Sequence, residues 1–137
     1  MNLSVQPVPT EIVHQAWPKV EGFLEEALKW GEDDYTKEQA KALLASGSWV
    51  LLVAVDEENK IHGAASVHLF NMPNDRIAFI TAIGGRLISN KDTYAQLCNV
   101  LKAYGATKIQ GAARESIARL WSRYGFKERY IIVEAKI

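Results

Sequence analysis

Three apolar runs follow one another closely in the middle of the chain. They are WVLLVAV (49–55), IHGAASVHLF (61–70) and RIAFITAI (76–83), parted only by the polar stretches DEENK and NMPND. Connections this short join antiparallel neighbours, because a parallel return needs a crossover of a dozen residues or more. The spacing therefore predicts an antiparallel meander. The first run is apolar throughout and is expected to be a central strand buried on both faces. The second alternates. It places Ile61, Ala65, Val67 and Leu69 on one face and His62, Ser66 and His68 on the other.

Helical patterns flank the meander. Val5 and its neighbours read as a short first strand ended by Pro7 and Pro9. Thr10 caps a short helix through Ala16, and Pro18 suits the first turn of a second helix. In that second helix Val20, Phe23, Leu24, Ala27 and Leu28 form one apolar face, closed by Gly31 and the acidic residues 32–34. Thr36 with Gln39 reads as a capping box for a helix that stops at Gly47. After the meander, Tyr94, Leu97, Cys98 and Leu101 make a helix stripe closed by Gly105. TKIQGAA (107–113) is a short strand. Ile117, Leu120, Trp121 and Tyr124 make a further helix closed by Gly125, and ERYIIVEAKI (128–137) is a last strand. Strand–helix–strand implies a parallel crossover. The expected class is α+β: N-terminal helices, an antiparallel meander, then a β-α-β-α-β half around a central mixed sheet.

Composition narrows the function classes. The 137 residues suit one domain, 1–137, and the chain has no internal repeat, low-complexity tract or Gly/Ser linker. The N-terminus lacks the basic start and apolar block of a secretory leader, and no apolar run is long enough to span a membrane. Cys98 is the only cysteine, so no intrachain disulfide forms. A cytoplasmic protein with no membrane partner is the expectation. Net charge is zero but uneven: residues 1–60 carry 5 Lys and Arg against 11 Asp and Glu, and residues 101–137 carry 8 against 3. The basic third suits either an anionic ligand or solvated helix faces. It is too modest, and too poor in clustered aromatics, to predict nucleic acid. His14, His62 and His68 have no zinc-like spacing with the cysteine. Cys98 reads as a small core residue. Trp17, Trp30 and Trp49 suit core or interface, which leaves monomer and homodimer both open.

The segment AIGGRLISNKDTYAQL (82–97) carries two readings. A helix N-terminus after a strand presents free backbone N–H groups and partial positive charge, which suits a phosphate. The same residues also make a plain turn, with Ser89, Asn90 or Asp92 capping the helix.

RESIARLWSRYGF (114–126) resembles the fourth-helix motif of the GCN5-related N-acetyltransferase (GNAT) superfamily. Ile117, Ala118, Leu120, Gly125 and Phe126 carry the match, and the element order of nearly the whole chain agrees. The resemblance implies a fold that binds acetyl-CoA and moves its acetyl group to an amine acceptor. It implies that backbone at Ala82 and Ile83 pairs with the pantetheine arm. Arg86, Ser89, Asn90 and Lys91 then stand at the pyrophosphate loop, with Arg114 as a further coenzyme contact. The family's loop reads Arg/Gln-x-x-Gly-x-Gly/Ala. Here, with Arg86 in the first position, Ser89 and Lys91 fall where the glycine and the small residue belong. The family's helix tyrosine, near the coenzyme sulfur, is Trp121, whose indole cannot give up a proton near neutral pH. Tyr124 is the acid available on the same helix. His68, more than His62, is the candidate base, and Thr81 is placed to orient a water. The implied function is an N-acetyltransferase. The alternative is a GNAT-shaped binding or structural module without catalysis, such as a bacteriophage accessory protein, motivated by the departures at 89, 91 and 121.

Overall fold

The computed structural model describes residues 2–30 and 34–137. The meander forms as read: β2 (Trp49–Val55), β3 (Ile61–Asn71) and β4 (Arg76–Gly85) pair antiparallel in succession. β1 (Ser4–Val8) joins the outer side of β2, and β5 (Lys108–Gly111) runs parallel to β4. The sheet order is β1-β2-β3-β4-β5. Pro7 sits inside β1 rather than ending it, which an edge strand tolerates because one side of it needs no ladder bonds.

Helices cover both faces. α1 (Val13–Trp30) and α2 (Lys37–Ser46) lie on one face, where Val13, Trp17, Val20, Leu24, Leu28, Ala40 and Leu44 bury against Leu51, Val53 and Val55. α3 (Lys91–Ala103) and α4 (Glu115–Trp121) lie on the other, with Leu97, Leu101 and Trp121 over Leu52, Ala54, Ala65, Val67, Ala78 and Ile80. β2 thus feeds both cores, as its unbroken apolar run requires. Each fully buried leucine, such as Leu24 or Leu97, contributes about 1.5–3 kcal/mol of transfer free energy.

Three local expectations change. The break expected between Ala16 and Pro18 is absent: a short 3₁₀ turn (Thr10–Ile12) leads into α1, which runs on through Pro18. An interior proline forfeits one helix bond, at a cost of about 3 kcal/mol. Here buried Trp17 and Val20 on either side hold the helix to the sheet. Next, Ile61 packs with the α1 and α2 core and not with Ala65 and Val67. Ala54 is opposite Gly63 but Val55 is opposite Ile61, so His62 is an extra residue on β3 and flips the alternation. Finally, residues 128–137 form no strand of the sheet, and β5 remains its edge. The Thr36–Gln39 capping box is present, with N–H···O distances of 3.2 and 2.9 Å. The stop expected at Gly31 falls outside the described residues. Among the described residues, no helix is long and apolar enough to cross a membrane.

Candidate active site

The site is organised by what happens along β4. β3 accompanies it to Gly85, but β5 accompanies it only from Ile77 to Ile80, whose partner is Gly111. From Thr81 onward the outer edge of β4 has no strand beside it among the described residues. The parting coincides with a bulge: Ser66 faces Ala82 and Val67 faces Ile80, so Thr81 is the extra residue. Its hydroxyl donates to the Ser66 carbonyl at 3.0 Å, and the buried Ser66 hydroxyl, 2.5 Å away, donates in turn to Thr81. Both hydroxyls at the bulge are therefore partnered, and the backbone of Ala82 and Ile83 borders the gap. Ala82 is buried and Ile83 half-buried.

The two glycines that follow serve packing and turning. α1 passes so close to Gly84 that a Cβ there would overlap the Phe23 carbonyl. Gly85 has φ +70°, a left-handed value that glycine takes without strain. The Arg86 N–H then donates to the His62 carbonyl at 2.9 Å, and Leu87 is fully buried beneath the loop.

At the α3 N-terminus the capping hydrogen bonds are in place. Asn90 is the cap: its side chain accepts from the Thr93 N–H at 2.9 Å. The buried Thr93 hydroxyl accepts from the N–H groups of Ser89 and Asn90, at 3.2 and 3.3 Å. The Ser89 hydroxyl donates to the Arg86 carbonyl at 3.1 Å. Two amides of the expected phosphate loop are thus used internally. The side chains of Arg86 and Lys91 stay exposed. An open depression of about 520 Å³ is lined by Lys91 with Asn2, Leu3, Asn90, Asp92 and Thr93.

Across the gap stands α4. The Trp121 ring lies against Gly111, where a Cβ would come 3.2 Å from it. Trp121 packs on Phe126 at 5.3 Å, and Tyr124 stacks on Tyr94 at 5.0 Å. Burial, and second a hydrogen bond with Cys98, push the Tyr94 hydroxyl up to about 12. Arg114 is engaged by α1: its guanidinium lies 4.9 Å from the Trp30 ring centre and 3.9 Å from the Glu26 carboxylate. His68 is exposed on the α1 and α2 face, 5.1 Å from the Phe70 ring. Tyr124 packs on the α3 and α4 face, so the two candidate catalytic side chains stand on opposite sides of the sheet.

The structure therefore gathers Ala82, Ile83, Arg86, Ser89, Asn90 and Lys91 at the end of β4, holds Arg114 against α1, and leaves His68 exposed on the α1 and α2 face, two residues along β3 from Ser66. Ser66 and Thr93 escaped the reading of the sequence. Thr93 had a signal, its position three residues after Asn90 at a helix start. Ser66 had none, because its role depends on a bulge. His62 and Asp56 form a further pair, Nε2 to Oδ2 at 2.8 Å, at the β2–β3 turn. Its hydrogen bond, with those from the Lys60 and Glu58 amides, lowers the Asp56 carboxyl.

No family model and no curated protein sequence matches the chain. Solved structures do. An aminoglycoside acetyltransferase from an uncultured soil metagenomic sample superposes with a TM-score of 0.67 at 17% identity, over 100% of this chain and 99% of that one. A predicted acetyltransferase with acetyl-CoA from Clostridium acetobutylicum gives 0.61 at 16%, over 98% and 96%. Glucosamine-6-phosphate N-acetyltransferase from Arabidopsis thaliana gives 0.59 at 15%, over 99% of each. The chain has the fold of the GNAT acetyltransferases, over its whole length.

Proposed function

We propose that the chain is an acetyl-CoA-dependent N-acetyltransferase. The observation that carries this reading is the parting of β4 from β5 after Ile80 and Gly111, which leaves β4 backbone free to pair with an extended amide-bearing arm. Three neighbours of the same shape support it. One is described with acetyl-CoA, and two act on amine-bearing sugars by their names. In this reading Ala82 and Ile83 backbone pairs with pantetheine. Arg86 and Lys91 carry the charge opposite the phosphates, and Ser89 and Asn90 keep the loop in shape. The acceptor amine arrives on the α1 and α2 face, within the acidic first 60 residues, which favour a cation. His68 takes the ammonium proton directly or through water. The amine nitrogen then attacks the thioester carbonyl, the C–S bond breaks, the thiolate is protonated from Tyr124 on the opposite face, and the second proton of the amine nitrogen passes through water to the tyrosinate. Isothermal titration of acetyl-CoA, first at low and then at physiological salt, tests the reading. Micromolar binding that weakens with salt, followed by acetylation of a panel of amines, is the expected result. No heat at millimolar coenzyme would overturn it.

A second reading is a GNAT-shaped module without catalysis. Two observations favour it: the Trp121 ring against Gly111 where the strands part, and the loop amides of Ser89 and Asn90 already paired to Thr93. Absence of coenzyme binding by the folded protein is its expected outcome.

A further inference from the structure

The β2–β3 turn carries an acid–base pair that the proposed reaction does not use. The His62 Nε2 donates to the Asp56 Oδ2 at 2.8 Å, because an ionised carboxylate only accepts. With side chains 18 and 14% exposed, these two form the most enclosed ion-forming pair among the described residues. The other oxygen, Asp56 Oδ1, accepts from the Glu58 and Lys60 N–H groups at 2.8 and 3.0 Å. One carboxylate thus ties the whole turn to the start of β3.

His62 is also where the loop after β4 is seated. It is the extra residue of the β2–β3 bulge, between the Val55–Ile61 and Ala54–Gly63 pairings. Its carbonyl takes the Arg86 N–H at 2.9 Å. The fit around that bond is close. A Cβ on Gly63 would come 2.7 Å from the Arg86 and Leu87 nitrogens, and one on Gly85 would overlap the His62 carbonyl oxygen. A bulge interrupts the ladder, so pairing alone holds its extra residue less firmly than a regular strand would. The bond to Asp56 supplies that hold from the side chain. The far end of the loop is fastened by the Thr93 hydroxyl at the start of α3, and the near end rests on the His62 carbonyl.

We propose that Asp56 and His62 are positioning residues for the loop from Arg86 to Lys91, and, resting on the N-acetyltransferase reading, that the loop they place is the one that meets acetyl-CoA. The side-chain bond fixes the bulge, and the bulge sets where the Arg86 backbone stands. A displaced His62 carbonyl carries the Arg86 N–H with it, and the attraction between guanidinium and phosphate falls as the two move apart.

Three variants of the full chain test this. His62→Ala and His62→Leu remove the donor, the second with little loss of bulk, so that one stands in if the other does not fold. His62→Gln restores the donor, since the glutamine Nε2 reaches where the ring Nε2 stands. Amide hydrogen exchange is read by NMR at Arg86 and, for comparison, at buried Leu97 in α3. In His62→Ala and His62→Leu, Arg86 exchange is expected to quicken about tenfold more than that of Leu97. Acetyl-CoA Kd, by calorimetry, is expected to rise about two- to fivefold in the same variants, and by less in an Arg86→Ala background, because both changes act on one contact. His62→Gln is expected to behave as the parent in both measurements. An Arg86 amide that is unmoved, or that moves only in step with Leu97, marks a purely structural pair and overturns the proposal. A His62→Gln protein as impaired as His62→Ala overturns it too, and so does an unchanged Kd where the parent binds. If the parent gives no heat with millimolar acetyl-CoA, the N-acetyltransferase reading falls, and the exchange rates at Arg86 alone decide whether the pair positions the loop.

Discussion

Gly84 and Gly85 show how one residue type answers two different demands in adjacent positions. Gly84 is set by distance, because the α1 backbone at Phe23 occupies the space of a Cβ. Gly85 is set by its φ of +70°. Neither is a phosphate-cradling glycine, although their place before a helix invites that reading. Gly84→Ala is therefore expected to push α1 off β4 and cost at least about 2 kcal/mol, read as a lowered denaturation midpoint. A variant as stable as the parent would mean that α1 shifts freely. The charges nearby make a different kind of prediction. Arg86 and Lys91 are exposed, so each contributes about as much as a surface ion pair. Arg86→Ala and Lys91→Ala should each weaken acetyl-CoA binding about two- to fivefold at low salt. The double variant should multiply the losses and flatten the salt dependence. Affinity indifferent to both would remove these side chains from the coenzyme site.

At the scale of the element, α3 is held at its start by a network centred on one hydroxyl. Thr93 accepts from Ser89 and Asn90, while Asn90 accepts from Thr93. Thr93→Val keeps the shape and removes the oxygen, so two N–H groups lose their partner. A loss of about 1–2 kcal/mol is expected in chemical denaturation. Acetyl-CoA affinity should not fall, since the proposed phosphate contacts are the side chains of Arg86 and Lys91. Elements of this kind were legible in the sequence to the extent that their cause was local. The Thr36–Gln39 box, the apolar face of α1 from Val20 to Leu28, and the doubly buried β2 are all set by neighbours within a few residues. Pro18 misled because tertiary burial of Trp17 and Val20 outweighs a local helix penalty. Ile61 misled because a bulge at His62 breaks a period that the sequence displays as unbroken. The end of the chain misled in the opposite sense. YIIV has every local property of a strand, yet a strand needs an edge, and no local property states where that edge is. The site shares this division. Arg86 to Lys91 could be placed by counting from a motif, whereas the Ser66–Thr81 pair arises only when two strands meet out of step.

For the molecule as a whole, the titrating groups tie the two ends of the pH scale to different parts of the sheet. Asp56 is lowered first by its hydrogen bond with His62, at the β2–β3 turn. Asp75 is lowered first by Lys108, 3.0 Å away, then by the Thr107 hydroxyl, and this pair fastens β5 to the start of β4. A carboxyl lowered on folding contributes stability that is present above its ordinary value of 3.8 and lost as pH falls through the folded value. Tyr94 works in the other direction. Its folded value of about 12 exceeds the ordinary 10.0, so the folded state holds the proton more tightly, and its contribution is present below pH 10 and lost as pH rises through about 12. Tyr35, raised chiefly by burial and second by Asp34, adds to the same limb. These groups therefore predict a plateau between about pH 4 and pH 10 with a fall on each side. Denaturation midpoints measured from below pH 4 to about pH 12 are the check. Asp56→Asn and Asp75→Asn should lower the plateau and flatten the acid limb. Tyr94→Phe keeps the stack on Tyr124 and removes the proton, so it should flatten the alkaline limb and leave the acid limb as it was. If the Tyr94→Phe protein loses stability between pH 10 and 12 as steeply as the parent, the alkaline limb belongs to other groups. The half-buried Tyr94 hydroxyl would then have no part in it.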